Sequence, residues 1–504
     1  MILTERELIM KMKYIFSAAL ATMMLASCSE DMMDRINKDE AHPGININAK
    51  LQLTEAEVST IYSTLCGNYA WYVSSYTEQL FGTGNNQLRM VEHRNTSEVA
   101  GSSVFDNQWN STYLNLHNLQ LMRNKCQEGG VNAKQYNLLG VTQTLEAVNW
   151  ATLTDLHGDV PYKECFVKAN PQIDKQKVIY DRVFELLDSA QINFARGTDD
   201  FSSNDIIYGG KAAKWSALAH ALKARYLLRT YGVNKTNAQL QKVVSEGQAA
   251  LDGGFTGCEM SVFNGQTADN SWYAYAQSRE YTGCSSTVEK LLTERNDPRE
   301  PIYNYNKWGK NVVANPGDDA LAAESEYVNW PAYLENGAAS LHLMSLSELN
   351  FVMAEAKARL GENAEDNFKA GVEASVKDFF AAGGSVIEQT ISATQISDYL
   401  TAIQARYTAN PLKEILIQKY IAQTRDEQLE TYADIRRCRF IDGSYPVAMT
   451  NPNNTAGGAN RWPLCLPYGD SDVKSNPNVA KAFGTGNDAG MYIYTNNVWW
   501  AGGQ

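Results

Sequence analysis

Residues 153–162 read Leu153-Thr154-Asp155-Leu156-His157-Gly158-Asp159-Val160-Pro161-Tyr162 and join two amphipathic segments. In the segment after this turn, apolar residues recur at the spacing that gives a helix one apolar face: Ile179, Val183, Leu186, Leu187, Ala190 and Phe194. The segment before it carries Leu139, Leu145, Val148 and Leu153 largely on one side. Gly158 and Pro161 end the first helix, because glycine adopts positive φ and proline has no amide donor. Residues 136–194 therefore predict two helices that bury their stripes against each other, the repeating unit of a helical solenoid.

Helical patterning continues on both sides of this pair. Capping boxes predict helix starts at Thr54 with Glu57 and at Ser345 with Glu348. A long last helix is predicted over residues 412–437. The sequence predicts an all-α protein with a helical-repeat core over about residues 53–254 and 342–440.

Two regions lack this periodicity. Residues 255–341 form a long aperiodic insertion, and loops of such length are uncommon unless they have a task. Residues 441–504 are rich in Asn, Gly and Pro and are predicted to be an irregular tail. We expect a loop-rich subdomain beside the helical core, within one domain over residues 53–504.

The first 27 residues read as a secretory signal. Lys11 and Lys13 precede an apolar run, over residues 14–24, that is too short for a membrane span. Leu25-Ala26-Ser27 leads into Cys28, and this tetrapeptide resembles the bacterial lipobox. We expect cleavage before Cys28, lipid attachment to it, and a tether over residues 28–52. Translation begins at Met1 or Met12, and the sequence leaves both open.

The composition of the chain limits the classes of function that it can have. A chain of 504 residues with 44% hydrophobic residues can bury a sizeable core. Its net charge of -13 argues against nucleic-acid binding, because no basic cluster is present to neutralise phosphates.

Seven cysteines follow Cys28, and none forms a CxxC pair. They read as isolated buried thiols rather than as a zinc site or a disulfide framework. Pairing of Cys258 with Cys284 is left open.

Several separated motifs occur in the order and spacing of one protein family. They are residues 153–162, Val178-Ile179-Tyr180 with Leu186-Leu187-Asp188-Ser189-Ala190, Trp215 with Leu222-Lys223-Ala224-Arg225, Asn296-Asp297-Pro298-Arg299, Ser347-Glu348 with Ala354-Glu355-Ala356, Gln418-Lys419-Tyr420, Asp434 with Arg436-Arg437, Arg461-Trp462-Pro463, and Trp499-Trp500. Together with Cys28 they cover nearly the whole chain. The sequence resembles the SusD/RagB-type outer-membrane lipoproteins of Bacteroidetes, in the SusD-like, starch-binding branch.

The resemblance implies tetratricopeptide-like helix pairs with an irregular part packed on one side. It implies a SusC-like TonB-dependent outer-membrane barrel as partner, for which the protein acts as an extracellular lid that binds glycans or, in some members, peptides. Ser29-Glu30-Asp31 resembles the family's export signal to the outer leaflet. We therefore expect a lipid-anchored protein on the outer membrane, facing the cell exterior.

Sugar binding needs flat apolar surfaces together with planar amides and Arg side chains. Two loop regions carry this mixture, one near the first helix and one in the insertion. The candidate ligand-binding residues are Trp71, Tyr72, Arg89, Trp272, Tyr273, Tyr275, Asn304, Trp308 and Trp330. The alternative for each ring is that it packs the insertion onto the helices or faces the barrel.

Charged residues elsewhere favour structural roles. The spacing of Asp155, His157 and Asp159 would suit a metal site or acid-base catalysis. We expect instead that Asp155 or Asp159 caps backbone amides at the turn. Asp470 and Asp472 lack the Gly and Glu of a calcium loop. Glu348, Glu355, Arg436 and Arg437 are expected to form interhelical ion pairs.

The sequence therefore favours a non-catalytic lipoprotein that captures oligosaccharides, with no metal, cofactor or catalytic residue. Two alternatives stay open: a peptide-capturing lid for the same type of transporter, and a surface glycoside hydrolase, which needs a spaced pair of carboxylates in an aromatic cleft.

Overall fold

Helices make up most of the protein in the computed structural model, which describes residues 47–84, 87–324 and 327–503. The helices are α1 (Leu53–Val58), α2 (Asn68–Tyr76), α3 (Gln87–Glu92), α4 (Thr96–Val99), α5 (Asp106–Cys126), α6 (Tyr136–His157), α7 (Gln176–Arg196), α8 (Ala212–Arg229), α9 (Tyr231–Asn234), α10 (Asn237–Asp252), α11 (Ser271–Arg279), α12 (Ser286–Thr293), α13 (Glu300–Tyr303), α14 (Asp319–Ala322), α15 (Leu346–Leu360), α16 (Glu365–Gly383), α17 (Ala393–Ala409), α18 (Pro411–Gln423), α19 (Gln428–Asp442), α20 (Asp470–Ser475) and α21 (Pro477–Phe483). A π-helical segment, Ser59–Leu65, continues α1. The signal segment, Cys28 and most of the predicted tether lie outside the described residues. Ala49–Gln504 form one unit.

The strands are short and form three antiparallel pairs. They are β1 (Phe81–Gly82), β2 (Val160–Pro161), β3 (Ile173–Asp174), β4 (Cys258–Met260), β5 (Thr282–Gly283) and β6 (Leu341–Met344). Strand β1 pairs with β5, β2 with β3, and β4 with β6. Two of these pairs join the insertion to the helical part, with Phe81 opposite Gly283 and Cys258 opposite Met344.

The predicted helix pair at residues 136–194 is present as α6 and α7. Gly158 has φ 79° and ends α6, where its amide donates to Thr154 O at 2.8 Å. The Oδ1 atom of Asp159 accepts the backbone amide of Gln176, the first residue of α7, at 2.9 Å. The capping role expected at this turn therefore belongs to Asp159.

The helix pairs stack in sequence. Helix α5 packs on α6, α6 on α7, α7 on α8, α8 on α10, α10 on α15, and α15 on α16. This succession of neighbouring helices is the predicted solenoid, and it confirms the all-α fold class.

Two predictions about the helices are wrong, namely the single helix over residues 412–437 and the capping box at Thr54. Residues 412–437 are not one helix, since α18 ends at Gln423 and α19 begins at Gln428. The break holds Asp426, whose carboxylate accepts the backbone amide of His342 at 2.9 Å. The capping box at Thr54 is absent, because Thr54 Oγ1 donates to Asn204 O at 2.7 Å. Glu57 instead accepts the Ile206 amide at 2.9 Å.

The second predicted capping box is half formed. Ser345 Oγ accepts the amide of Glu348 at 3.0 Å. The carboxylate of Glu348 turns instead to Arg225 of α8, which donates to it through Nε at 2.8 Å and through Nη2.

Most of the four charged residues assigned to ion pairs do form them. Arg437 of α19 donates to both carboxylate oxygens of Glu355 on α15, at 2.6 and 2.7 Å. Arg436 is the exception: it donates to Asp155 O and Leu464 O and lies 3.8 Å from the ring centroid of Tyr432. Its role is to satisfy backbone carbonyls, so the predicted ion pair for Arg436 is wrong.

All seven cysteines in the described part of the chain are free thiols, so Cys258 and Cys284 do not pair. Six are buried and Cys165 is partly exposed. In that same part, no helix is long and apolar enough to cross a membrane.

Candidate functional site

Helices α2 and α11 contribute the walls of an open cleft with a volume of about 810 Å³. It is lined by Tyr62, Asn68, Trp71, Tyr72, Gln87, Met90, Ser271, Ala274, Tyr275, Ser278, Arg279 and Tyr281. The cleft lies between a helix of the N-terminal core and the first helix of the insertion. These are the two regions in which the sequence predicted ligand-binding residues.

Helical spacing explains why these side chains share the cleft. On α2, Asn68, Trp71 and Tyr72 lie at i, i+3 and i+4. On α11, Ser271, Ala274, Tyr275, Ser278 and Arg279 lie at i, i+3, i+4, i+7 and i+8. Residues at this spacing occupy one face of a helix. Each helix therefore presents a mixed polar and aromatic face to the cleft.

The two walls meet through aromatic stacking. The rings of Trp71 and Tyr275 are stacked, with centroids 4.0 Å apart and 14° between their planes. Tyr281 meets Tyr275 edge-on at 6.4 Å, and Trp272 meets Trp71 edge-on at 6.4 Å. Because neighbouring rings hold Trp71 and Tyr275 on two helices, the aromatic surface of the cleft is formed in advance of any ligand.

The phenols of the cleft are neutral hydrogen-bonding groups. Burial raises the pKa of Tyr62, Tyr72 and Tyr275 above the ordinary tyrosine value. Tyr72 OH donates to Oε1 of Gln87. No carboxylate occurs among the residues that line the cleft. Amides, hydroxyls and aromatic rings are therefore its main chemistry.

The structure brings together Trp71, Tyr72 and Tyr275 of the predicted ligand-binding residues. Trp272 and Trp330 are only 2% and 0% exposed, so these two rings are core residues and offer no face to a ligand. Their placement corrects the prediction, and it follows the alternative in which insertion aromatics pack onto the helices.

The other predicted residues lie outside the cleft. Arg89 pairs with Asp319 at 3.6 Å, and the ring of Tyr273 lies beside Gly337. Asn304 lines a separate shallow cleft, where its Oδ1 accepts Asn329 Nδ2 at 2.7 Å. Trp308 stands at 88° to Trp330, with centroids 6.3 Å apart.

A lysine holds that second tryptophan pair in place. Lys307 Nζ lies 4.6 Å from the ring centroid of Trp308 and 4.0 Å from that of Trp330. The same Nζ pairs with Glu335 at 2.6 Å. These contacts give Trp308 a structural role that needs no ligand.

Sequence reasoning omitted Asn68, Gln87, Met90, Ser278 and Arg279 from the candidate set. For α11 the missed signal was periodicity, since Ser271, Tyr275, Ser278 and Arg279 share one helical face. The sequence predicts an aperiodic insertion over residues 255–341, and α11 is a short helix within it.

The Asp155, His157 and Asp159 side chains serve the fold. Asp155 accepts hydrogen bonds from Tyr180 OH and Trp500 Nε1, each at 2.6 Å, and from Arg229. A hydrogen bond of 2.9 Å joins His157 Nε2 to Tyr69 OH, and burial lowers the pKa of His157 to about 3.

Asp470 and Asp472 likewise have protein partners. Asp470 accepts a hydrogen bond from Ser102 Oγ at 2.8 Å, and Asp472 accepts one from Trp109 Nε1 at 2.9 Å. Across residues 47–84, 87–324 and 327–503, no group of three or more His, Cys, Asp or Glu side chains is placed to hold a metal ion.

Another cleft, of about 710 Å³, lies beside α12 and α18. Its apolar lining residues include Leu291, Ile417 and Val447, and no aromatic residue lines it. It lacks the flat rings on which a pyranose can stack, so the cleft between α2 and α11 is the better candidate for a sugar.

Comparison with known proteins agrees with this architecture. Residues 47–457 match the family model SusD-like, described as starch-binding and associating with the outer membrane. A SusD/RagB family protein from Bacteroides thetaiotaomicron has 30% sequence identity and a TM-score of 0.82, with 91% of this chain and 100% of that chain covered. No functionally curated protein matches the chain.

Two more distant structures share the fold. A chitin-binding protein has 22% identity and a TM-score of 0.68, covering 90% of this chain and 100% of that one. A chitin-binding SusD homolog from Flavobacterium johnsoniae has 18% identity and a TM-score of 0.66, covering 89% and 98%. The family match spans most of the helical unit that holds the aromatic cleft, and the chain therefore belongs to the SusD-like family.

Proposed function

We propose that the protein is a non-catalytic cell-surface lipoprotein that captures oligosaccharides in the cleft between α2 and α11. It then delivers them to a TonB-dependent outer-membrane transporter. The stacked pair of Trp71 and Tyr275 carries this proposal, because a pyranose ring binds a flat aromatic surface through its apolar face.

The polar groups of the cleft support a sugar ligand. Asn68, Gln87 and Ser278 supply amides and a hydroxyl near the aromatic surface. Such groups bond sugar hydroxyls and fix their orientation, while the rings supply contact area. Two chitin-binding proteins of the same fold are consistent with a carbohydrate ligand.

The alternatives fit the cleft less well. Glycoside hydrolysis uses a pair of carboxylates that flank the scissile bond, and the lining residues of this cleft include no Asp or Glu. A peptide ligand would share the fold and the partner, and it would need partners for a row of backbone amides. The cleft offers rings and a few amides and hydroxyls, which favours the sugar.

Attachment at Cys28 and the barrel partner rest on the sequence and on the family. The lipobox-like Leu25-Ala26-Ser27-Cys28 supports lipid anchoring, and the family description supports association with the outer membrane. Several acyl chains on one cysteine would hold the protein durably, since a single chain binds a bilayer only marginally.

Calorimetric titration of the soluble protein, starting at Ser29, tests the capture step. Parallel panels of oligosaccharides and peptides are titrated into wild type, Trp71→Ala and Trp308→Ala. We expect heat from one class of sugar, lost in Trp71→Ala and kept in Trp308→Ala, whose ring lies outside the cleft. Heat from peptides alone would contradict the carbohydrate proposal.

Affinity purification of the full-length protein from detergent-solubilised membranes tests the delivery step. A TonB-dependent barrel is expected to co-purify with wild type and to be lost with Cys28→Ala, which removes the proposed anchor. Recovery of the wild-type protein from membranes without any barrel would contradict the proposed partnership.

A further inference from the structure

Arg279 is the one charged residue among those that line the cleft between α2 and α11. It is the last residue of α11 and is exposed. It lies on the same helical face as Tyr275, four residues earlier, whose ring is stacked on Trp71. The guanidinium therefore stands at the edge of the aromatic surface on which a sugar would rest.

The Arg279 side chain makes no hydrogen bond or ion pair with the part of the protein that the structure describes. The arginines of the core differ: Arg225, Arg295 and Arg437 each bind a carboxylate of the protein. The charge of Arg279 is close enough to Tyr275 to oppose the rise in phenol pKa that burial causes. The cleft thus holds a positive charge and no Asp or Glu among its lining residues, although the carboxylate of Asp269 lies close enough to Tyr62 to help raise the pKa of that phenol.

We propose that the cleft selects sugars that carry an anionic group, a carboxylate or a sulfate, and that Arg279 binds this group. This inference rests on the proposed carbohydrate function and names its substrate class. A guanidinium fork matches the two oxygens of a carboxylate or sulfate with parallel hydrogen bonds. The tyrosines, Asn68 and Gln87 bond the neutral hydroxyls, so the anionic group is the feature that Arg279 recognises.

The protein as a whole is negatively charged, with a net charge of -13. A preference for an anionic sugar must therefore come from Arg279 acting at short range. At physiological ionic strength, charges farther away than about 8 Å are largely screened, so Arg279 acts on a group held next to it. The preference for an acidic sugar is therefore expected to weaken as salt is raised, while stacking on Trp71 and Tyr275 is not.

Matched ligands test this proposal. The first arm compares uronic-acid oligosaccharides with the same oligosaccharides after methyl esterification of their carboxylates. The second compares sulfated oligosaccharides with their desulfated forms. Affinities are measured by calorimetry for wild type, Arg279→Gln, Arg279→Lys and the control Lys242→Gln, which removes one positive charge from α10, outside the cleft.

Wild type is expected to bind the anionic form about tenfold tighter than its neutral partner in at least one arm. Arg279→Gln should abolish that preference, Arg279→Lys should keep part of it because a point charge lacks the fork, and Lys242→Gln should leave it unchanged. The arm that shows the preference distinguishes carboxylate from sulfate.

Three results would overturn the inference, and they differ in what they say about the proposed function. If neutral and anionic forms bind equally and Trp71→Ala removes both, the cleft binds sugars without selecting charge. If neither form of any oligosaccharide binds wild type, the carbohydrate function fails as well. A preference that survives in Arg279→Gln would also contradict the assignment to this residue.

Discussion

The indole ring of Trp71 lies almost parallel to the phenol ring of Tyr275, with ring centroids 4.0 Å apart. Trp71 belongs to α2 of the N-terminal core, and Tyr275 belongs to α11 of the insertion. The stack therefore joins two distant parts of the chain and forms the aromatic surface of the cleft.

Substitution of Tyr275 separates the contributions of its ring and its hydroxyl. Tyr275→Phe keeps the ring and is expected to bind the oligosaccharide within about threefold of wild type. Tyr275→Ala removes the ring and also the support of Trp71, and it is expected to weaken binding by about tenfold or more, since a stacked ring contributes roughly 1 kcal/mol beyond its buried area. Calorimetry measures affinity, and circular dichroism checks that each variant is folded. Equal affinities for the two variants would contradict a role for the stack.

The buried pair of Glu355 and Arg437 is expected to matter for stability. Arg437 donates two hydrogen bonds to Glu355, and both side chains are at most 1% exposed. Arg437→Leu leaves a buried carboxylate without its main partner, so the free energy of unfolding should fall by about 3–5 kcal/mol.

The double variant Glu355→Leu with Arg437→Leu controls for that effect. It removes both charges of the pair and should recover part of the loss, because Arg359, the other partner of Glu355, keeps its ion pair with Asp442. Denaturant unfolding provides the measurement. A loss below about 1 kcal/mol in the single variant would show that the pair contributes little.

His342 gives the stability a pH dependence in the alkaline range. Burial opposes the charged form, but Asp426 at 3.0 Å and Asp378 at 3.7 Å raise the pKa of His342 to about 10. In the unfolded chain this pKa is about 6.5. The stabilisation is therefore complete below about pH 6.5 and is lost as pH rises toward 10.

Unfolding measured from pH 6 to pH 10 tests this expectation. Wild type should lose stability across that range, and His342→Gln should lose less because it has no proton to release. An identical pH profile for both proteins would mean that His342 is not charged in the folded protein.

Glu57 is expected to be protonated in the folded protein at neutral pH. Burial, together with the nearby carboxylate of Asp205, raises the pKa of Glu57 to about 10. The folded state then holds a proton that the unfolded state releases above about pH 4.3, so stability falls as pH rises between these values. Glu57→Gln mimics the neutral form. The difference in free energy of unfolding between Glu57→Gln and wild type should therefore favour the variant more at pH 8 than at pH 5. Destabilisation by Glu57→Gln that grows with pH would show that the carboxylate is ionised.

Much of the fold was predictable because the spacing of apolar residues along the sequence indicates which face of a helix is buried. Ile179, Val183 and Leu187 mark the buried face of α7, and Gly158 marks the end of α6. The break between α18 and α19 was not predictable, because no Pro or Gly marks it. It depends on Asp426 meeting His342, a contact between residues far apart in sequence.

The candidate site was predictable only in part. Composition located the aromatic residues, and Trp71, Tyr72 and Tyr275 do share a cleft. Composition does not report which rings are buried, so Trp272 and Trp330 were included although the fold encloses them. Arg279 was missed because its placement depends on α11 being a helix.

The crystal structure of the protein with the oligosaccharide that binds it most tightly in calorimetry tests the central claim most directly. The account predicts a sugar ring against Trp71 and Tyr275, with Asn68 or Gln87 within hydrogen-bonding distance of its hydroxyls. A sugar bound instead in the cleft lined by Leu291 and Val447, with no sugar against Trp71 and Tyr275, would contradict the proposed binding site.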